Sequence, residues 1–147
     1  DIPQRVYPVG RLDKDSTGLL LLTNDGEMHH RLLHPSFDHE KEYIVTTALP
    51  MSVESLAAMR KGMFIQGKKT RPARVKQLSR HQFMIQLKEG RNRQIRRMVR
   101  KLRNHVTRLK RIRVAGVRLG ELPEGAWRHL TDVEIDSLTN KNADRQN

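Results

Sequence analysis

The chain of 147 residues has no cysteine. That excludes a disulfide framework and any thiolate metal site. Phe, Trp and Tyr together make up only 4% of the residues, which argues against an RNA platform built from several exposed rings. No apolar run approaches the roughly 18 residues of a membrane span, and no signal-peptide pattern opens the chain. Gly-x-Gly-x-x-Gly and Gly-Lys-Ser/Thr loops are missing, so a nucleotide cofactor has no seat. Acidic residues are scarce relative to basic ones.

What is abundant is positive charge. Lys and Arg number 29 against 16 Asp and Glu, leaving a formal charge of +13 and a pI near 10.9. Such a surplus calls for a polyanionic partner, either nucleic acid or an anionic membrane surface. The length suits one domain with a real core. The cysteine-free composition makes the bacterial cytoplasm the expected compartment, and a chain that begins at Asp1 rather than Met is expected to be a piece of something longer.

Periodicity places the elements. Arg5 to Val9 is β-like, and Leu19 to Leu22 reads as a strand buried on both faces. Asn24 or Asp25 can cap a helix over Glu27 to Leu33, which Pro35 stops. Glu42 to Thr47 is a β-branched strand. Ser52 opens a helix to about Lys61, with Leu56 and Met59 inward and Gly62 as its stop. Strands near Ala73–Leu78 and Phe83–Leu87 flank a polar turn. Asn92 to Arg103 is helical, because Ile95, Met98, Val99 and Leu102 form one apolar stripe, and Asn104 is the expected left-handed exit. Arg108 to Val117 is β-like, and Thr131 to Glu134 is a capping box for a helix to about Leu138. Residues 140–147 are expected to fray. The sum is one domain over residues 1–139, an α/β or α+β mixed sheet with helices packed on it; the α+β class is the one expected.

Three segments carry chemistry. In Gly10-Arg11-Leu12-Asp13-Lys14-Asp15-Ser16-Thr17-Gly18, an arginine and two carboxylates occupy a loop anchored to the leucine run. Loops held by a rigid core are common seats of catalytic residues. From Lys88 to Arg113 the basic residues are dense and Glu89 is the only acid. Arg91, Arg93, Arg97, Arg100, Lys101 and Arg103 surround the apolar stripe there. Guanidiniums so crowded repel one another unless phosphates lie alongside. The third segment, Lys41-Glu42-Tyr43-Ile44-Val45, puts an aromatic ring in a strand. His29, His30 and His34 lack the intervening glutamate of a zinc motif, so no metal is expected. Asp13 and Asp15 are two apart in a loop, and no spacing rule pairs them.

Together, Arg11-Leu12-Asp13 with Thr17-Gly18-Leu19, Gly90-Arg91-Asn92-Arg93-Gln94-Ile95-Arg96, and Lys41-Glu42-Tyr43 resemble the three signatures of pseudouridine synthases. The Leu-Leu-Leu-Thr-Asn-Asp-Gly continuation resembles the RsuA branch, which modifies ribosomal RNA. A fourth likeness runs from Gly116 to Thr131, with Trp127 expected to be buried. The resemblance spans about Val9 to Glu134 and implies a pseudouridine-synthase-like, mostly antiparallel sheet without the amino-terminal S4-type domain. It implies Asp13 as the group that starts glycosidic cleavage and Tyr43 as a wall, or proton handler, against the uracil ring. Arg96 would be the ion-pair partner of Asp13, since a carboxylate in a desolvated pocket needs an opposite charge to stay ionised. Arg11 would fill the gap left by the flipped uridine. The implied reaction is uridine to pseudouridine in ribosomal RNA, most naturally the large-subunit 23S molecule, by a monomer with no cofactor. A non-catalytic RNA-binding or ribosome-assembly protein explains the charge but not the loop.

Overall fold

The computed structural model describes residues 2–34, 36 and 39–139. The expected frayed tail and the helix stop at Pro35 lie outside them. In chain order the elements are β1 (Tyr7–Val9), β2 (Thr17–Gly18), β3 (Leu21–Thr23), α1 (Gly26–Leu33), β4 (Lys41–Thr47), α2 (Val53–Lys61) and β5 (Phe64–Ile65). There follow β6 (Lys68–Lys69), β7 (Arg74–Ser79), β8 (Gln82–Leu87), α3 (Gln94–Lys101), β9 (Val106–Val114), β10 (Val117–Arg118) and α4 (Asp132–Thr139). No helix among the described residues is long and apolar enough to cross a membrane.

The main sheet runs β10-β9-β4-β8-β7, antiparallel throughout, and the short β2 joins β9 in parallel. The mixed, mostly antiparallel α+β architecture expected from the sequence is the one observed. β4, the central strand, has β8 on one side and β9 on the other. Its buried residues are Glu42, Val45 and Thr47. β9 carries one extra residue, Ile112, between the partners of Glu42 and Tyr43. A bulge of this kind sharpens local twist and re-aims the neighbouring side chains.

The larger core lies between the sheet, α2 and α3. Phe83, Met59, Ile85, Met98, Val45 and Val99 are fully buried within it. Each contributes about 1.5–3 kcal/mol on leaving water. The α3 stripe accounts for Ile95, Met98 and Val99, with Leu102 packed partly against them. Ser52 caps α2 through Ser55 N–H at 3.0 Å, and Asp25 caps α1 through Glu27 and Met28 N–H. At the outer edge of the sheet, the Arg60 carbonyl accepts from Ala73 N–H at 3.1 Å. The Arg60 Nε donates in turn to the Val75 carbonyl at 3.0 Å.

Four local expectations are corrected. The leucine run is not one strand buried on both faces. Leu19 and Leu21 are buried in a second, smaller core with Val117 and Leu138, whereas Leu20 and Leu22 are exposed. The run passes from the main sheet to a separate pairing of β3 with β1, so only alternate side chains meet a core. Asn104 is not the left-handed exit of α3. Arg103 takes that conformation (φ 62°), while the buried Asn104 accepts from Leu49 N–H and donates to its carbonyl. Trp127 is 40% exposed, edge-on to His129, because no core reaches the loop that carries it. The β5–β6 hairpin falls where the sequence offered no strand signal.

Candidate active site

The loop from Gly10 to Ser16 is closed by a turn in which Ser16 N–H donates to the Asp13 carbonyl at 2.9 Å. β2 then fixes it to the main sheet. Leu19 N–H donates to the Arg111 carbonyl at 2.9 Å. The Arg111 side chain, itself buried, returns Nε and Nη2 to the Leu19 carbonyl at 2.9 and 2.7 Å. Gly18 is obligatory at this crossing: its φ is +111°, and a Cβ would lie 2.2 Å from the Arg111 carbonyl oxygen. Arg111 carried no motif signal of its own. Only the pairing of Thr17–Gly18 with Lys110–Arg111 reveals it.

The loop overhangs a cavity of about 500 Å³ lined by Arg11, Asp13, Tyr43, Arg93, Ile95 and Arg111, among others. That volume falls within the range of small-ligand sites. Tyr43 comes from β4, opposite Arg111 of β9 in register, and Arg93 sits at the start of α3. The three sequence signatures therefore meet at one concavity, which Arg91 also lines.

Arg96 does not line the cavity. It stands behind the loop, with its side chain only 13% exposed and its Nε 4.0 Å from Asp13 Oδ2. That Nε is buried and makes no hydrogen bond. Arg93 Nη1 approaches the same Asp13 oxygen, also at 4.0 Å. The hydrogen bonds of both arginines go to Asp15 and, from Arg96 Nη2, also to the Ser16 hydroxyl at 3.3 Å. Arg93 forks onto its two oxygens at 3.3 and 3.4 Å. Arg96 Nη2 reaches Asp15 Oδ1 at 3.3 Å and the Asp15 carbonyl at 3.0 Å. The hydrogen bond from Arg93 holds the Asp15 carboxyl below its usual range, against some desolvation and with help from the Arg96 charge. Two carboxylates that no spacing rule joined thus share one pair of guanidiniums. Asp13 feels both charges while its oxygens stay free of their hydrogen bonds.

The other basic residues singled out in the sequence divide into two groups. Arg91 donates to the Lys68 carbonyl at 3.1 Å and to that of Ile65. Arg97 holds Asn92 through its carbonyl (3.0 Å) and its side chain (3.2 Å), and Lys101 donates to the Phe64 carbonyl. Arg100 and Arg103 are exposed, with no side-chain partner among the described residues. The buried Gln94 closes the approach to α3, donating to Glu89 at 2.8 Å and accepting from Arg91 N–H.

Behind Tyr43, Glu42 is buried and accepts from Arg113 Nε and Gln86 Nε2, both at 3.1 Å. Burial pushes its carboxyl up, but those two hydrogen bonds and the charges of Arg113 and Arg118 bring it below the usual value. The histidines do not converge: His29 contacts the Pro8 carbonyl and His34 the Ser36 hydroxyl. No group of three or more His, Cys, Asp or Glu among the described residues could hold a metal ion.

Comparison with known proteins agrees with this geometry. A family model described as RNA pseudouridylate synthase matches residues 1–101. The dual-specificity RNA pseudouridine synthase RluF of Escherichia coli K12 is 44% identical over 135 residues, covering 92% of this chain and 47% of that protein. The ribosomal large subunit pseudouridine synthase B of Bacillus subtilis is 42% identical over 144 residues, covering 94% and 59%. The chain thus spans about half the length of these relatives. A crystal structure of a pseudouridylate synthase superposes with a TM-score of 0.85 at 40% identity, over 90% of this chain and 59% of that one. With the signatures gathered at one cavity and matches of this extent, the chain belongs to the RNA pseudouridylate synthase family, on its RsuA branch.

Proposed function

We propose that this chain isomerises one uridine of ribosomal RNA to pseudouridine, acting as a monomer in the bacterial cytoplasm, with the large-subunit 23S molecule as substrate. The carrying observation is that Asp13 and Tyr43 line the same cavity, with two guanidiniums 4.0 Å from Asp13 Oδ2. The name of the Bacillus subtilis relative supports the choice of subunit.

In this reading the target uridine leaves its stack and enters the cavity, at a cost of a few kcal/mol, and Arg11 at the rim takes its place. Asp13 starts cleavage of the N1–C1′ bond, by attack on C1′ or through a glycal. The uracil turns against the Tyr43 ring and C5 bonds to C1′, which breaks the Asp13–C1′ bond on the first route and is accompanied by return of the C2′ proton on the second. The proton on C5 leaves and N1 takes one up, so the reaction balances without oxidant, reductant or co-substrate. Arg93 and Arg96 present positive charge to Asp13 at 4.0 Å, while Asp15 accepts hydrogen bonds from both. Phosphates of the flanking strand lie against the exposed Arg100 and Arg103, with Arg91, Arg93, Arg97 and Lys101 adding positive field around the cavity.

The test incubates the chain with 23S and 16S transcripts and maps pseudouridine at nucleotide resolution. One 23S position should be modified by the wild type and none by Asp13→Asn. Affinity should hardly change, since one carboxylate is neutralised among 29 basic residues. Modification of 16S alone would overturn the subunit assignment. Tight binding without modification of either RNA would favour the non-catalytic RNA-binding reading.

A further inference from the structure

We propose that the β5–β6 hairpin is a docking element for unpaired RNA beside the catalytic cavity, with Phe64 stacking on a base and Lys68 and Lys69 holding the adjoining phosphates. The inference rests on RNA being the partner, and it adds a contact that none of the three signatures contains.

From Ser55 to Lys88 the chain has nine Lys or Arg and no Asp or Glu. This second acid-free stretch is distinct from α3, where several cations are bound to backbone or side-chain oxygens of the protein itself. Lys68 and Lys69 are exposed, and neither makes a side-chain hydrogen bond or ion pair among the described residues. They are available to phosphates in a way that Arg91, Arg93 and Lys101 are not.

The hairpin is a rigid mount. Gln66 and Gly67 form its two-residue loop with φ of 52° and 76°, the left-handed pair whose twist matches that of a tight hairpin. Its base is closed by Thr70 N–H to the Met63 carbonyl and by Met63 N–H to the Thr70 hydroxyl, both at 2.9 Å. Arg91 and Lys101 pin the carbonyls of Ile65, Lys68 and Phe64. Ile65 is buried, whereas Phe64 on the opposite face is 57% exposed. Phe64 stands directly across from Lys69, so ring and ammonium share the outward surface. A lone exposed phenylalanine is ordinary. One fixed on a preorganised strand, with the unpaired Lys69 on its own face and the exposed, unpaired Lys68 beside the hairpin loop, matches a stacking platform with a charged border, which binds single strands with little sequence preference. Arg91 both holds the hairpin and lines the cavity, so a strand docked on Phe64 continues toward Asp13.

The experiment measures binding of the intact chain to a ten-nucleotide oligouridylate and to a duplex RNA across a salt series, without turnover. Phe64→Ala should weaken oligouridylate binding about tenfold or more, leave the salt slope unchanged and spare the duplex. Lys68→Ala/Lys69→Ala should instead flatten the single-strand salt slope by about 1.4, at about 0.7 for each phosphate no longer neutralised. Phe64→Trp should restore affinity, and Val53→Ala, at an exposed apolar position on α2, should change nothing. Wild-type affinity in Phe64→Ala, or equal weakening toward duplex and single strand, would overturn the proposal. If these binding results hold while no uridine is modified, the catalytic reading falls and the docking element stands.

Discussion

Replacing Gly18 by alanine places a methyl group 2.2 Å from the Arg111 carbonyl oxygen and 2.6 Å from its nitrogen. Both are backbone atoms and neither can swing aside. The backbone must also hold φ near +111°, where a residue with a Cβ is strained by about 1–3 kcal/mol. If β2 retreats from β9 to relieve the clash, the bond from Leu19 N–H to Arg111 goes, at about 1 kcal/mol. The Arg111 guanidinium then loses the carbonyl that satisfies its buried Nε and Nη2. Together these give a loss of about 3–5 kcal/mol, among the largest effects of single substitutions. For a domain of this size that lowers the melting temperature by about 10 °C. The control is Gly26→Ala at the start of α1, where a Cβ meets nothing within 4 Å and a better helix former is neutral or slightly stabilising. Urea and thermal unfolding of both variants measure the difference, and uridine modification by the surviving Gly18→Ala protein should fall further than its folded fraction. Equal melting temperatures for the two variants would refute the claim that this crossing anchors the loop.

Arg96→Met should lose single-turnover activity at saturating RNA, because Asp13 loses a buried counter-charge. Arg100→Met should mainly weaken RNA binding and reduce its salt slope by about one phosphate's worth. Equal loss of turnover in both would deny Arg96 a special role. Asp15→Asn should melt like the wild type yet turn over more slowly, since Arg93 and Arg96 are freed to hydrogen-bond Asp13; unchanged turnover would show that Asp15 is a bystander. Tyr43→Phe should fold and bind RNA normally while single turnover slows about a hundredfold or more if the hydroxyl handles a proton; a wild-type rate would leave the ring as a wall only. Glu134 is held at about 2, from an ordinary 4.5, first by the hydrogen bond from Arg128 and then by Thr131 N–H. Its folded value lies below the unfolded one, so its stabilisation is full above pH 4.5 and is lost as pH falls toward 2. An acid melt should show that loss in the wild type and much less of it in Arg128→Met.

Local signals were legible in the sequence and long-range partners were not. The α3 stripe announced Ile95, Met98 and Val99 because helix periodicity is a property of neighbours along the chain. Ser52 and Gly62 marked the ends of α2 for the same reason. Asp13, Tyr43 and the α3 arginines were found through motif resemblance, and the fold gathers Asp13 and Tyr43 at the cavity with Arg96 behind. Arg111 was missed because its role comes from pairing β9 with a strand some ninety residues earlier. The sharing of guanidiniums by Asp15 and Asp13 was missed because it exists only once α3 lies against the loop. The leucine run misled because a burst of apolar residues cannot say that two sheets divide it.

Arg60, at the end of α2, has a consequence for how this protein behaves in a crowded solution. The free margin of a sheet invites strands of other molecules, and proteins that leave it open tend to aggregate. At β7, one residue closes off two backbone groups there, its carbonyl taking Ala73 N–H and its side chain taking the Val75 carbonyl. The stopper is cationic, and it lies beside Arg74 and Lys76, both exposed. A strand trying to add at this margin would have to displace an arginine and come to rest among positive charges. Colloidal behaviour is thus guarded at one point, and an Arg60→Ala protein that still folds would turn cloudy on storage long before it lost its shape.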